Sequence, residues 1–164
     1  MKTADFFLLF TCAMFLFTNC KVDQKNQQVL TNDQISSISK EIMSVTDNWG
    51  AANNAHDVNG SRAIWLNSKD FRMAENGSFF ANYDSLSNYL DRAFAASDSL
   101  KFKWITREIF PLTKDLACFA ATFEFSLKFK DGNKWGGTNA FTATFINSNS
   151  GWKVLNGHES TKSQ

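Results

Sequence analysis

The residues of this chain best suited to moving a proton are few. His158 lies in an alternating stretch, where Trp152, Val154, Asn156, His158 and Ser160 share one parity of a strand. With Val154 in a core, alternation turns Asn156 and His158 to that same inner side. There His158 would serve as an acid or base near neutral pH, or as a hydrogen-bonded structural histidine at the sheet's end. Glu108 shares parity with Phe102 and Trp104, so regular alternation turns it inward. A buried glutamate holds its proton to higher pH and suits proton transfer. The alternative is an exposed strand-end carboxylate paired with Arg107 or a lysine. Glu124 sits on the Ala120, Thr122 and Ser126 parity and points away from the Phe side. His56, the only other histidine, is expected at the surface, and Asp57 is explained by capping a helix. The histidines stand apart from any carboxylate cluster, so no zinc or iron site is expected. Gly136-Gly137 lies inside a strand pattern and reads as a bulge, not a phosphate loop. No cofactor is implied.

The cysteines carry a different chemistry. Residues 1–20 read MKTADFFLLFTCAMFLFTNC, with Lys2 as a short positive region and an apolar run over 6–17. That run is too short to span a bilayer, which takes about 20 residues, and has the form of a signal peptide. Leu16-Phe17-Thr18-Asn19-Cys20 resembles the lipobox of bacterial lipoproteins, with Asn19 an unusual residue before the cysteine. The resemblance implies removal of residues 1–19, acylation of Cys20 and anchorage in a bacterial membrane, outside the cytoplasm. The alternative is an ordinary secretory signal with a free Cys20. Cys12 leaves with the leader, so Cys118 has no partner for an internal disulfide and is expected to be a small buried apolar residue.

These residues need elements to position them. Residues 20–32 form a polar tether and 33–164 one domain, long enough to bury a core without disulfides. A hydrophobic fraction of 43% and a charged fraction of 20% mark the chain as globular. Net charge is +1, with basic and acidic residues interspersed, which argues against a nucleic-acid partner. Thr31 and Gln34 have capping-box spacing, and Ile35, Ile38, Ile42, Val45, Trp49 and Ala52 follow on one stripe of a long helix ending near Asn53-Asn54. A shorter helix is predicted over 58–66. Asn76-Gly77 is a favoured hairpin turn, and a third helix covers 85–96 through Leu86, Tyr89, Leu90, Ala93 and Phe94. Strand patterns occupy 100–110, 117–130, 134–146 and 152–160, with a break at 111–115 and a turn at Asp131-Gly132. The Phe-rich parity (Phe119, Phe123, Phe125, Phe141, Phe145) should face the helices. The Thr-rich parity (Thr138, Thr142, Thr144) should face water or a partner. Helices first and strands later make an α+β domain.

In this order the chain resembles the NTF2-like superfamily, and within it SnoaL-like or DUF4440-like proteins. The resemblance is carried by Trp49-Gly50-Ala51-Ala52-Asn53-Asn54-Ala55-His56-Asp57 between the first two helices, by the Asn76-Gly77 hairpin before a third helix, and by the closing Gly151-Trp152-Lys153-Val154-Leu155-Asn156-Gly157-His158-Glu159-Ser160. It implies a cone-shaped barrel: three N-terminal helices on a strongly curved antiparallel sheet, with a cavity at the open end. Family members use that cavity for isomerisation, dehydration, cyclisation or binding alone. In the ketosteroid isomerases of the superfamily, the place of Trp49 carries a tyrosine that donates to the reacting oxygen, and a carboxylate base precedes the first hairpin turn. Here Trp49 brings one N–H donor and no titratable proton. Met73 and Ala74 hold the inward places before the turn, and Glu75 would serve as base only with a shifted register.

The favoured reading is a pocket for a small apolar or aromatic ligand, lined by Trp49, Phe80, Tyr83, Tyr89, Trp104, Trp135, Asn156 and His158. The alternatives are a cofactor-independent enzyme of the isomerase, dehydratase or cyclase type using His158, and Glu108 as its carboxylate, or a homodimer paired through the Thr-rich outer sheet face.

Overall fold

A computed structural model of the chain describes residues 29–163; the leader and Cys20 lie outside them. The first helix, α1 (Asn32–Asn54), starts where the sequence places it. Gln34 N–H donates to Thr31 Oγ1 at 3.3 Å, and Thr31 N–H donates to Gln34 Oε1 at 2.9 Å. Its buried stripe is Ile38, Ile42, Thr46, Trp49, Gly50 and Asn53, while Ile35 at its start stays exposed. The second helix, α2 (Val58–Arg62), is capped by Asp57, whose Oδ1 accepts from Asn59 N–H at 3.0 Å. It ends earlier than 58–66 because residues 64–66 straighten to meet the last strand. Val154 N–H donates to Ile64 O at 2.8 Å, and Leu66 N–H donates to Val154 O at 2.9 Å.

Strands β1 (Arg72–Glu75) and β2 (Ser78–Phe80) form the hairpin around Asn76 and Gly77, both at positive φ (46° and 84°). The third helix, α3 (Tyr83–Ala96), begins two residues earlier than the apolar pattern indicates because Asn82 caps it. Four long strands complete the fold: β3 (Ser97–Thr113), β4 (Leu116–Phe129), β5 (Lys134–Ser148) and β6 (Gly151–Ser163). The expected break at 111–115 narrows to a tight turn. Pro111 continues β3, which is tolerable because β3 is an outer strand, where a missing N–H breaks no ladder on its open side.

The sheet order is β2-β1-β6-β5-β4-β3. It is mostly antiparallel and does not close, since β2 and β3 are both edges. One pair departs from the antiparallel pattern: β1 runs parallel to β6, as two strands far apart in the chain, joined by no hairpin, are free to do. The ladder skips Asp98, Ile105 and Leu112 in β3 and Leu155 in β6. Each extra residue is a β-bulge that bends the sheet and reverses the facing of the residues beyond it. The curved sheet wraps its Phe-rich face around the helices; Phe71, Phe119, Phe141, Phe145, Ile42 and Val154 are fully buried between the layers. Cys118 is half-buried on the outer face, opposite Phe110, and not in the core as expected.

Candidate functional site

The core leaves a cavity of about 140 Å³ between α3, the C-terminal end of α1 and the inner face of the sheet. Its walls are aromatic because the alternation of β4 and β5 delivers rings to that face. Trp49, Trp65, Phe102, Phe123, Phe125 and Trp135 stand on the α1 and sheet sides, and Leu86, Leu90, Ala93 and Phe94 of α3 cover the other. Trp49 is the hub, with ring centroids 5.1 to 6.0 Å from Phe102, Trp104, Trp65, Phe123 and Phe141. At the mouth, Trp135 lies edge-on to Phe125 at 4.7 Å.

Polar groups enter this apolar space between α1 and α2, where Ser61 Oγ donates to Asn53 Oδ1 at 3.0 Å, and in two further places. Towards β3, His56 Nε2 and Ser97 Oγ are 2.8 Å apart. His56 was expected at the surface, but its positive φ of 55° ends α1 by folding the imidazole back over Phe94, 5.0 Å away. Towards β1 and β6 the arrangement is acidic. The parallel register sets Glu75 beside Glu159, and both line the cavity. Asn76 locks that register: its backbone N–H donates to Glu159 O at 3.2 Å, its Nδ2 to Thr161 Oγ1 at 2.9 Å, and its Oδ1 accepts from Thr161 N–H at 2.8 Å. Tyr89 of α3 brings its hydroxyl to Glu75. Asn139 of β5 donates through Nδ2 to Glu159 Oε1, while its own Oδ1 is buried without a partner, as are the indole nitrogens of Trp49 and Trp65. Unpartnered buried polar atoms are uncommon and call for an explanation.

Burial sets the electrostatics. Loss of solvent, and then the neighbouring Glu75 charge, push Glu159 up to about 8. Loss of solvent also raises Glu75, an effect that the Tyr89 hydrogen bond opposes. The Tyr89 phenol is pushed up to about 12 by burial, then by the two carboxylates. Two adjacent carboxyls in an apolar site cannot both ionise cheaply, so near neutral pH Glu159 keeps its proton beside Glu75. Such a pair can accept a proton at one oxygen and return it from another. It can also accept hydrogen bonds from a ligand.

The structure places the sequence candidates unevenly. Trp49, Tyr89 and Trp135 line the cavity. Trp104 packs behind Trp49 and donates its indole N–H to Thr46 O at 3.4 Å. Phe80 is buried one layer back, 5.1 Å from Tyr89. Tyr83 leans on Phe71 and borders a separate surface depression near Arg62 and Lys153. His158 and Asn156 are corrections: both are exposed on the outer face, beside Thr142 and Thr144. The bulge at Leu155 inverts the parity after Val154, turning Gly157 and Glu159 inward in their stead. Glu108 is corrected for the same reason. The bulge at Ile105 turns Arg107 inward and Glu108 out. Arg107 then donates to Thr46 Oγ1 at 2.9 Å and pairs with Asp47 at 2.6 Å, fastening β3 to α1. Before the hairpin turn, Met73 and Glu75 face inward and Ala74 does not. Among the described residues no group of three or more His, Cys, Asp or Glu is placed to hold a metal.

Residues 42–163 match the SnoaL-like domain. The chain belongs to that family. The fold of this SnoaL-like domain is similar to an NTF2-like superfamily protein from Salmonella enterica serovar Typhimurium, at 13% identity and a TM-score of 0.70, covering 79% of this chain and 94% of that one. It is also similar to two proteins of Novosphingobium aromaticivorans. One is a proposed scytalone dehydratase (9% identity, TM-score 0.73, 80% of this chain and 89% of that one). The other is a proposed aromatic ring hydroxylase (12% identity, TM-score 0.69, 79% and 94%). At these identities the likeness is one of fold. No functionally curated protein matches the sequence.

Proposed function

We propose that this SnoaL-like domain binds one small, largely apolar or aromatic molecule in the cavity between α3 and the sheet, on a protein held outside the cytoplasm by lipid on Cys20. The observation that carries the binding reading is the cavity: aromatic on its walls, with a few polar groups, the usual make-up of a small-molecule site. Its volume of about 140 Å³ is close to that of an engineered apolar cavity, about 150 Å³, that takes up benzene. A fold neighbour named as an aromatic ring hydroxylase is consistent with a ring-shaped ligand.

Ala93 reaches the cavity from α3, so Ala93→Phe should fill the space from the helical side. A neutral single-ring probe such as benzyl alcohol should change the tryptophan fluorescence of the wild-type domain and leave the variant's unchanged. An identical response in both proteins would place the probe elsewhere and count against the pocket.

The tether rests on the Leu16-Phe17-Thr18-Asn19-Cys20 sequence. Among the described residues no helix is long and apolar enough to cross a membrane. Cys20→Ala should abolish palmitate labelling and release the protein to the soluble fraction; a variant still held at the membrane would exclude lipid on Cys20 as the anchor.

A second reading is favoured by one specific observation, the Glu75–Glu159 pair. In an enzyme of this fold, that pair would take the acid–base role first expected of His158, with no cofactor.

A further inference from the structure

The acidic corner of the cavity has more acceptors than donors. Glu75 and Glu159 bring four carboxyl oxygens, and Asn139 adds a buried Oδ1 with no partner. Against these stand the Tyr89 hydroxyl, turned to Glu75, Asn139 Nδ2, already given to Glu159, and the one proton on Glu159; the unpartnered indole N–H groups of Trp49 and Trp65 belong to the aromatic wall. Among the described residues no lysine or arginine lines the cavity, and His56 is engaged with Ser97 on the far side. Aromatic faces surround the space, and a ring's negative face attracts a cation. A ligand that satisfies this acidic corner brings hydrogen-bond donors and positive charge at one end and sets a flat apolar body against the aromatic wall at the other. An ammonium group offers three donors and a charge.

Building on the pocket reading above, we propose that the ligand is a small primary amine with a single ring, its ammonium seated between Glu75, Glu159 and Asn139 and its ring against Trp49, Trp65 and Phe123. A charged hydrogen-bonded pair in a desolvated site favours the amine over its neutral counterpart by about tenfold or more. An anionic counterpart is excluded by like charge. Amine binding is also coupled to release of the proton that Glu159 holds. The groups facing Glu159 are Glu75 from β1, Tyr89 from α3 and uncharged Asn139 from β5; β4 contributes only apolar side chains. With Glu159 titrating near 8, amine affinity should rise from pH 6 to pH 8, by up to about tenfold per unit.

The test uses tryptophan fluorescence with three probes of one shape: benzylamine, benzyl alcohol and benzoate. Expected at pH 7.5 are benzylamine at least about tenfold tighter than benzyl alcohol, tightening with pH, and no binding of benzoate. The Glu75→Gln/Glu159→Gln double variant, isosteric with the protonated pair, should retain benzyl alcohol and lose the preference for benzylamine. Benzyl alcohol binding as tightly as benzylamine, or an amine preference that survives in the double variant, would overturn the amine assignment and leave the pocket standing. If no probe binds the wild type, or Ala93→Phe leaves all three unaffected, the pocket reading fails and this inference with it.

Discussion

Replacing Trp49 with alanine is expected to destabilise the domain by about 3–5 kcal/mol, the range for truncating a large buried aromatic. The reason is its position. Trp49 is only 7% exposed and is the one ring on α1 that meets rings from β3, β4 and β5 as well as Trp65. Aromatic pairs at such distances add stability beyond their buried area, and here five pairs lapse together. Trp49→Phe keeps most of the apolar body and should cost less than half as much. Urea unfolding followed by circular dichroism measures both, and the m-value should stay constant because the same surface unfolds. A loss below about 1 kcal/mol for Trp49→Ala, the size typical of an average point change, would show that the helix layer does not depend on this ring.

The second large effect concerns pH. In the unfolded chain Glu159 has an ordinary carboxyl pKa of 4.5, and in the folded domain it lies near 8. The folded state therefore binds the proton more tightly. The stability tied to that proton is fully present below pH 4.5 and is lost progressively as pH rises to 8. Each pH unit is worth about 1.4 kcal/mol, so the whole loss is on the order of 5 kcal/mol, most of it complete by pH 8. Glu75, also raised by burial, adds in the same direction. Glu159→Gln keeps the shape of the protonated form and cannot ionise. Its stability should equal that of the wild type near pH 4 and exceed it by on the order of 4 kcal/mol near pH 8. Thermal unfolding across that range gives the answer. Parallel curves for the two proteins would mean that Glu159 stays solvated.

How far the sequence discloses this molecule depends on what each residue is asked to reveal. Local signals are faithful. The Thr31–Gln34 box, the Asp57 cap and the Asn76-Gly77 turn each act within four residues, and each appears in the structure. The alternation of β4 and β5 is equally legible, because those inner strands run without a bulge between them. The site is hidden by two insertions in the ladder. Periodicity assumes one residue per rung, and Leu155 and Ile105 each break that count. One extra residue sends every later side chain to the opposite face, which is why plain alternation turns His158 and Glu108 inward and passes over Glu159. At β6 a signal exists. Gly157 sits in a strand, and a glycine there marks a bulge or a close approach. A Cβ at Gly157 would lie 3.0 Å from both Met73 Sδ and Phe141 Cε2, so the bare backbone faces the core. At Ile105 nothing in the residue type announces the bulge. The Glu75–Glu159 pairing is out of reach for a further reason: it depends on a parallel contact between strands some eighty residues apart, which no local pattern encodes.

The proposed site requires Glu159 to face an apolar cavity and to keep its proton beside Glu75. The most direct test is a titration of the glutamate side-chain carboxyl carbons by NMR, with the two signals identified through Glu75→Gln and Glu159→Gln. The predicted result is one glutamate with a midpoint near 8, absent in Glu159→Gln and shifted downward in Glu75→Gln, where the neighbouring charge is gone. If every glutamate titrates near the ordinary value of 4.5, the Glu159 carboxyl is solvated and ionised at neutral pH, and the proposed site is wrong.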